Sequence, residues 1–161
     1  MNLDAVQRIR LLVLDVDGVL TDGRLWFGAD GEALKVFHVR DGAGIKALQA
    51  SGVTVALLSG RQSAAVARRA AELGIRHVRQ GADNKAAAFR ELLAELQLSQ
   101  ECTACLVDDT PDLPQKALVA QPIAVADAHA DVIAAAHHVT RAAGGHGAVR
   151  EVCDLLIEAR A

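Results

Sequence analysis

The chain has 161 residues, is 52% hydrophobic and carries a formal net charge of −3. It is long enough to bury a substantial core as one domain, expected to span residues 1–161. Its mildly acidic balance offers no footprint for nucleic acid or an anionic membrane surface. The opening "MNLDAVQRIR" lacks the apolar stretch of a secretory signal, and no apolar run is long enough to cross a bilayer. A cytoplasmic protein with no membrane and no nucleic-acid partner is expected.

In chain order, the first strand is "LLVLDV" (11–16), at the head of "LLVLDVDGVLTDG" (11–23). There an apolar run delivers Asp15, Asp17 and then Asp22 to its own end, although burial penalises clustered carboxylates. "GRLWFGADGEALKVFHV" (23–39) reads as strand, turn, strand: a hairpin leaving the main sheet. It carries Trp26, Phe27 and Phe37; Phe89 is the one other aromatic residue. Helical patterns follow at 41–51, 62–74, 84–97 and 148–160, and Gly52 and Gly74 stand where helix C-terminal glycines belong. Between them lie "VTVALL" (53–58), "TACLV" (103–107) and "QPIAVA" (121–126), with weaker strands at 76–79 and 136–140. Strands alternating with helices imply right-handed crossovers and a parallel sheet covered on both faces, a doubly wound, Rossmann-like α/β fold.

Cys102 and Cys105 form a C-x2-C pair, and the third cysteine, Cys153, lies far along the chain. Three cysteines make no disulfide framework, and a four-ligand zinc site would need partners that the sequence does not obviously offer. Reduced thiols packed near a strand are expected.

In a doubly wound sheet the ligand crevice lies outside the carboxyl ends of the strands. Asp15 and Asp17 close the first strand, Ser59, Gly60 and Arg61 close the second, and Asp108 and Asp109 close "TACLV", while Lys85 opens a helix. A parallel sheet gathers all four groups at one edge. Acids from two strands suit a hard cation such as Mg²⁺, which would neutralise them. Opposite it, backbone N–H groups at the start of the 62–74 helix, the Ser59 hydroxyl and Lys85 suit a phosphate, and Arg61 suits a second anionic group. The set points to phosphoryl transfer, with Asp15 as nucleophile and Asp17 as the acid that protonates the leaving alkoxide and then activates water.

"DVDGVLTDG", "LLSGR", Lys85 and "VDDTPDLP" resemble, in order, the four motifs of haloacid-dehalogenase (HAD) superfamily phosphatases. "FHVRDGAGIKAL", "AVADAH" and "GGHGAVREVCDLL" narrow the likeness to the 3-deoxy-D-manno-octulosonate 8-phosphate (KDO 8-phosphate) phosphatases of Gram-negative bacteria, across nearly the whole chain. The resemblance implies a HAD-type fold without a large cap domain and hydrolysis of KDO 8-phosphate through an aspartyl-phosphate, in lipopolysaccharide precursor synthesis. It implies Mg²⁺ held by the Asp15 carboxylate, the Asp17 backbone carbonyl and Asp108, with Asp109 and Asp112 in support. Ser59, Gly60 and Lys85 would bind phosphate and Arg61 would face the substrate. Such relatives usually carry Gly where this chain has Val107, a β-branched residue expected to bear on the placing of Asp108. Some relatives also have a tail that closes over an active site, which a chain stopping at Ala161 is not expected to share.

Two alternatives stand beside this reading: a phosphatase for a nine-carbon, sialic-type sugar phosphate, and a receiver-like signalling domain with a phosphorylatable aspartate. Arg40 and Asp41 open a helix and serve either substrate or cap. His146, inside the glycine-rich segment, is the histidine of interest. An isolated hairpin cannot bury Trp26, Phe27 and Phe37 by itself, so an interface is expected there. The resemblance implies that it is the interface of a homotetramer.

Overall fold

A computed structural model of the chain describes residues 3–160; Met1, Asn2 and Ala161, the ends of the expected domain, lie outside the described residues. In chain order the elements are α1 (Leu3–Gln7), β1 (Leu11–Leu14), β2 (Trp26–Gly28), β3 (Gly31–Leu34), α2 (Val39–Ala50), β4 (Thr54–Leu58), α3 (Ala64–Leu73) and β5 (His77–Arg79). They continue with α4 (Lys85–Leu96), β6 (Thr103–Val107), α5 (Leu113–Lys116), β7 (Gln121–Ala124), α6 (Ala130–Ala134), β8 (His138–Val139) and α7 (Ala148–Glu158). Among the described residues no helix is long and apolar enough to cross a membrane.

Six strands form one parallel sheet in the order β5-β4-β1-β6-β7-β8, and β2 and β3 form a separate antiparallel hairpin. The sheet is parallel because helices cross between its strands, and its centre is apolar on both faces: every residue of β1 and β6 is buried. Helix α2 packs on α3 and α7, and α4 on α5. Phe89, Leu92 and Leu93 of α4 and Val149, Val152 and Leu156 of α7 join the core.

The chain runs from β1 outward through β4 to β5, then returns to the other side of β1 to lay down β6, β7 and β8. Strand order therefore reverses between β1 and β6, which pair from Leu11↔Thr103 to Leu14↔Leu106. That switch point opens a crevice at the carboxyl ends of these two strands.

The expected strands 11–16 and 121–126 stop two residues early, at Leu14 and Ala124. After Leu14 the chain swings into a loop whose turn needs Gly18 at φ +86. The short helices α1, α5 and α6 have too few turns to show a helical period in the sequence. Phe37 corrects the hairpin reading: it packs against the core, whereas Trp26 and Phe27 stay exposed.

Candidate active site

Asp15 follows β1 directly, and its carboxylate accepts the Val16 N–H at 2.7 Å. Asp108 likewise follows the neighbouring strand β6 directly. A 3₁₀ turn at Thr110–Asp112 then folds the chain back and buries Asp112. Asp109 starts that turn, its carboxylate accepting the Thr110 N–H at 2.7 Å, and is exposed. One carboxylate oxygen from each of Asp15, Asp108 and Asp112 lies within 4.8 Å of the others. Val107 is fully buried in β6 and does not keep Asp108 out of this trio.

Lys85, the first residue of α4, reaches into the trio, with its ammonium 3.0 Å from Asp15 and 2.6 Å from Asp112. Asn84 caps that helix through the Ala87 N–H and so fixes where Lys85 begins. Ser59 follows β4 directly, is buried, and accepts the Arg61 N–H on its hydroxyl at 3.2 Å. Asp15, Asp17, Ser59, Gly60, Arg61, Lys85, Asp108, Asp109 and Asp112 all line one cavity of about 360 Å³, together with Gly23, Leu25 and Pro111.

The acids are out of balance with their single lysine. Burial pushes the Asp15 carboxyl up, helped by Asp112, while Lys85 pulls it back. Burial followed by Asp15, Asp112 and Asp109 pushes Asp108 up further. Among the described residues, one oxygen of Asp108 and one of Asp112 are buried without a hydrogen-bond partner. Buried acceptors without donors are what a cation satisfies, and oxygen-only ligands select a hard one. The residues therefore fit a Mg²⁺ ion, which Asp15, Asp108 and Asp112 could hold.

Two expectations need correction. Helix α3 starts at Ala64, and the Ser63 N–H before it is taken by the Gln80 side chain at 2.8 Å. The helix start therefore does not line the cavity, and the phosphate side is left to Ser59, Gly60 and Lys85. Asp41, a buried residue of α2, is engaged by α7 and lies outside the cavity lining: it accepts the Arg150 N–H at 2.8 Å across the α2–α7 contact. Arg40 and His146 are exposed and outside the cavity lining.

A second polar cluster is not visible in the sequence. From the hairpin, Lys35 bonds Asp17 and lies 3.1 Å from Glu32. Arg61 lies 2.9 Å from Glu32 and 3.8 Å from Asp17. Two acids and two bases thus alternate around one edge of the cleft and tie the hairpin to it. The Asp17 carboxylate is in this cluster rather than in the acidic trio.

No protein-family model matches the chain. The 3-deoxy-D-manno-octulosonate 8-phosphate phosphatase KdsC of Yersinia pestis is 49% identical to it over 160 residues, which are 98% of this chain and 86% of that protein. The chain belongs to the KDO 8-phosphate phosphatase family. A crystal structure of that phosphatase from Yersinia pestis matches with a TM-score of 0.96 at 48% identity, covering 98% of this chain and 85% of the other. A second, from Moraxella catarrhalis, is a complex with a magnesium ion, a phosphate ion and a KDO molecule. It matches with a TM-score of 0.95 at 39% identity, covering 98% of this chain and 91% of the other. The fold described here is thus that of a HAD-type KDO 8-phosphate phosphatase.

Proposed function

We propose that this chain is a Mg²⁺-dependent phosphatase that hydrolyses KDO 8-phosphate to KDO and phosphate. The observation that carries the reading is the Lys85 ammonium between Asp15 and Asp112, with Asp108 beside them at the switch point of the sheet. Membership of the KDO 8-phosphate phosphatase family favours this substrate over the nine-carbon alternative and over a receiver-like domain.

In the first step an Asp15 carboxylate oxygen attacks phosphorus, and the bond from phosphorus to the sugar oxygen breaks. Asp17 gives its proton to the departing alkoxide. In the second step Asp17 takes a proton from water, whose oxygen attacks phosphorus and releases phosphate from Asp15. Ser59, Gly60 and Lys85 hold the phosphoryl oxygens, and Arg61 pairs with an anionic group of the sugar acid. Mg²⁺, when bound, supplies positive charge that neutralises the crowded carboxylates and the phosphoryl group.

The hairpin bears on assembly. Leu25, Trp26, Phe27, Leu34 and Val36 are all exposed on it, and Leu25 also lines the cavity. Five exposed apolar side chains on one hairpin point to an interface. With the family resemblance, which implies a homotetramer, the hairpin supports an assembly in which a neighbouring subunit walls the site and excludes water. Cys102, Cys105 and Cys153 are free thiols, which suits the reducing cytoplasm as the place of work.

Phosphate release from a panel of sugar phosphates with Mg²⁺ tests the assignment. KDO 8-phosphate is expected to give the highest kcat/KM. A higher value for a nine-carbon keto-sugar phosphate moves the assignment to that substrate, and no turnover of any of them removes it.

A further inference from the structure

The glycine-rich segment before α7 is outside the cavity lining, yet its backbone is pressed against the loop that carries Asp15 and Asp17. The Gly145 N–H donates to the Val19 carbonyl at 2.9 Å, and the Gly144 N–H donates to the Asp127 carboxylate at 2.9 Å. A Cβ added at Gly144 would overlap the Gly18 carbonyl, and one added at Gly145, where φ is +68, would overlap the backbone of Thr21 and Asp22. On its other side Gly18 is equally tight, since a Cβ there would overlap the Asp108 carboxylate. Gly144, Gly18 and Asp108 are therefore stacked in direct contact, with no side chain between the layers. Protein interiors transmit displacement through such contacts because they are close-packed.

We infer that the Gly144–Gly145 turn, held by Asp127, is a positioning element for the reaction: it sets the Gly18 peptide, and through it the Asp108 carboxylate and the loop bearing Asp17. The inference rests on the phosphatase reading above. Asp127 touches no reacting atom, and its part is to fix the turn through one hydrogen bond. The loop has its own internal bracing as well, since Thr21 Oγ1 accepts the Gly23 N–H at 3.3 Å and donates to the Val16 carbonyl at 3.4 Å. That bracing shapes the loop, whereas the glycine turn places it against β6.

The test compares wild type with Gly144→Ala, Asp127→Ala and Asp127→Asn, reading kcat, KM, Mg²⁺ affinity by titration calorimetry and Tm in EDTA. Gly144→Ala is expected to lower kcat by about 100-fold, the scale of a 1 Å misplacement. It is expected to weaken Mg²⁺ binding by about 10-fold, the scale seen when groups supporting metal ligands are removed. Asp127→Ala is expected to move the same two quantities in the same direction, and Asp127→Asn, which keeps an acceptor for the Gly144 N–H, to restore them. If Asp127→Ala and Gly144→Ala lower only Tm while kcat and Mg²⁺ affinity stay within about twofold of wild type, the turn is merely structural and the inference falls. If Gly144→Ala does not fold, the Asp127 pair decides: equal kcat and equal Mg²⁺ affinity for the Ala and Asn variants overturn it. Wild-type protein that leaves KDO 8-phosphate intact is instead a failure of the phosphatase reading, and the calorimetric comparison still decides this one.

Discussion

Lys35, carried on the hairpin, bonds the Asp17 carboxylate with only 2% of its own side chain exposed. A shielded cation between Asp17 and Glu32 holds the Asp17 carboxylate in one orientation. Replacing it with an uncharged side chain leaves both acids without that partner. Lys35→Met is expected to lower kcat by about 10- to 100-fold, as loss of orientation at a proton-transferring group does. Lys35→Arg, which keeps the charge, is expected to recover part of it. Steady-state kinetics on the three proteins check this, and a Lys35→Met enzyme with wild-type kcat refutes it.

Asp15, Ser59, Lys85 and Asp108 are legible in the sequence because each stands at the end of an apolar run or the start of a helix, and a parallel sheet brings such ends together. Lys35 is not. The hairpin's register shifts between Trp26 and Phe27, so simple alternation does not say which side chains face the site. Asp112 reads only as support, since its return to the trio depends on a 3₁₀ turn of three residues. Sequence pattern puts the start of α3 two residues early, at Gln62, whereas Ser63 is extended in the fold and stands at the N-cap position, as serine does before a helix.

Asp15 attacks phosphorus in the mechanism above, and an amide cannot. Asp15→Asn is therefore expected to lose single-turnover phosphate release while keeping its fold, because asparagine fills the same volume beside Val16. Asp17→Asn is expected to lose about 10²- to 10⁴-fold, the contribution of a positioned acid or base. Rapid-quench measurement of phosphate checks both. Appreciable turnover by Asp15→Asn rules out the covalent route.

The acidic trio links metal, pH and stability. In the metal-free protein, burial and the neighbouring acids raise the Asp108 carboxyl from 3.8 to about 8, and burial with Asp112 raises Asp15 to about 6. The unfolded chain ionises both near pH 4, so between about pH 4 and pH 8 the native state holds more protons than the unfolded one. Stability from these groups is therefore fully present below that window and is lost as pH rises through it. Mg²⁺ competes with the same protons, so its stabilising effect grows as pH rises. In EDTA, Asp108→Asn is expected to flatten the fall of Tm with pH, and the Tm gain from Mg²⁺ in wild type is expected to be larger at about pH 8 than at about pH 5. Scanning calorimetry at the two pH values checks this, and a gain independent of pH contradicts it.

The hairpin prediction concerns assembly. Trp26 is 49% exposed and Phe27 64% exposed, on a two-stranded ribbon that is marginally stable by itself. Its inner side is tied to the cleft through Glu32 and Lys35, while these two aromatic side chains meet no core. A charge placed on the outer side would disrupt an interface without disturbing the folded body. Trp26→Asp is therefore expected to convert the proposed homotetramer into smaller species with an unchanged melting transition for the isolated chain. Because Leu25 next to it lines the cavity, KM is expected to rise as the neighbouring wall is lost. Light scattering at micromolar concentration reads the mass of both proteins: a wild-type monomer refutes the assembly, and a Trp26→Asp tetramer moves the interface away from the hairpin.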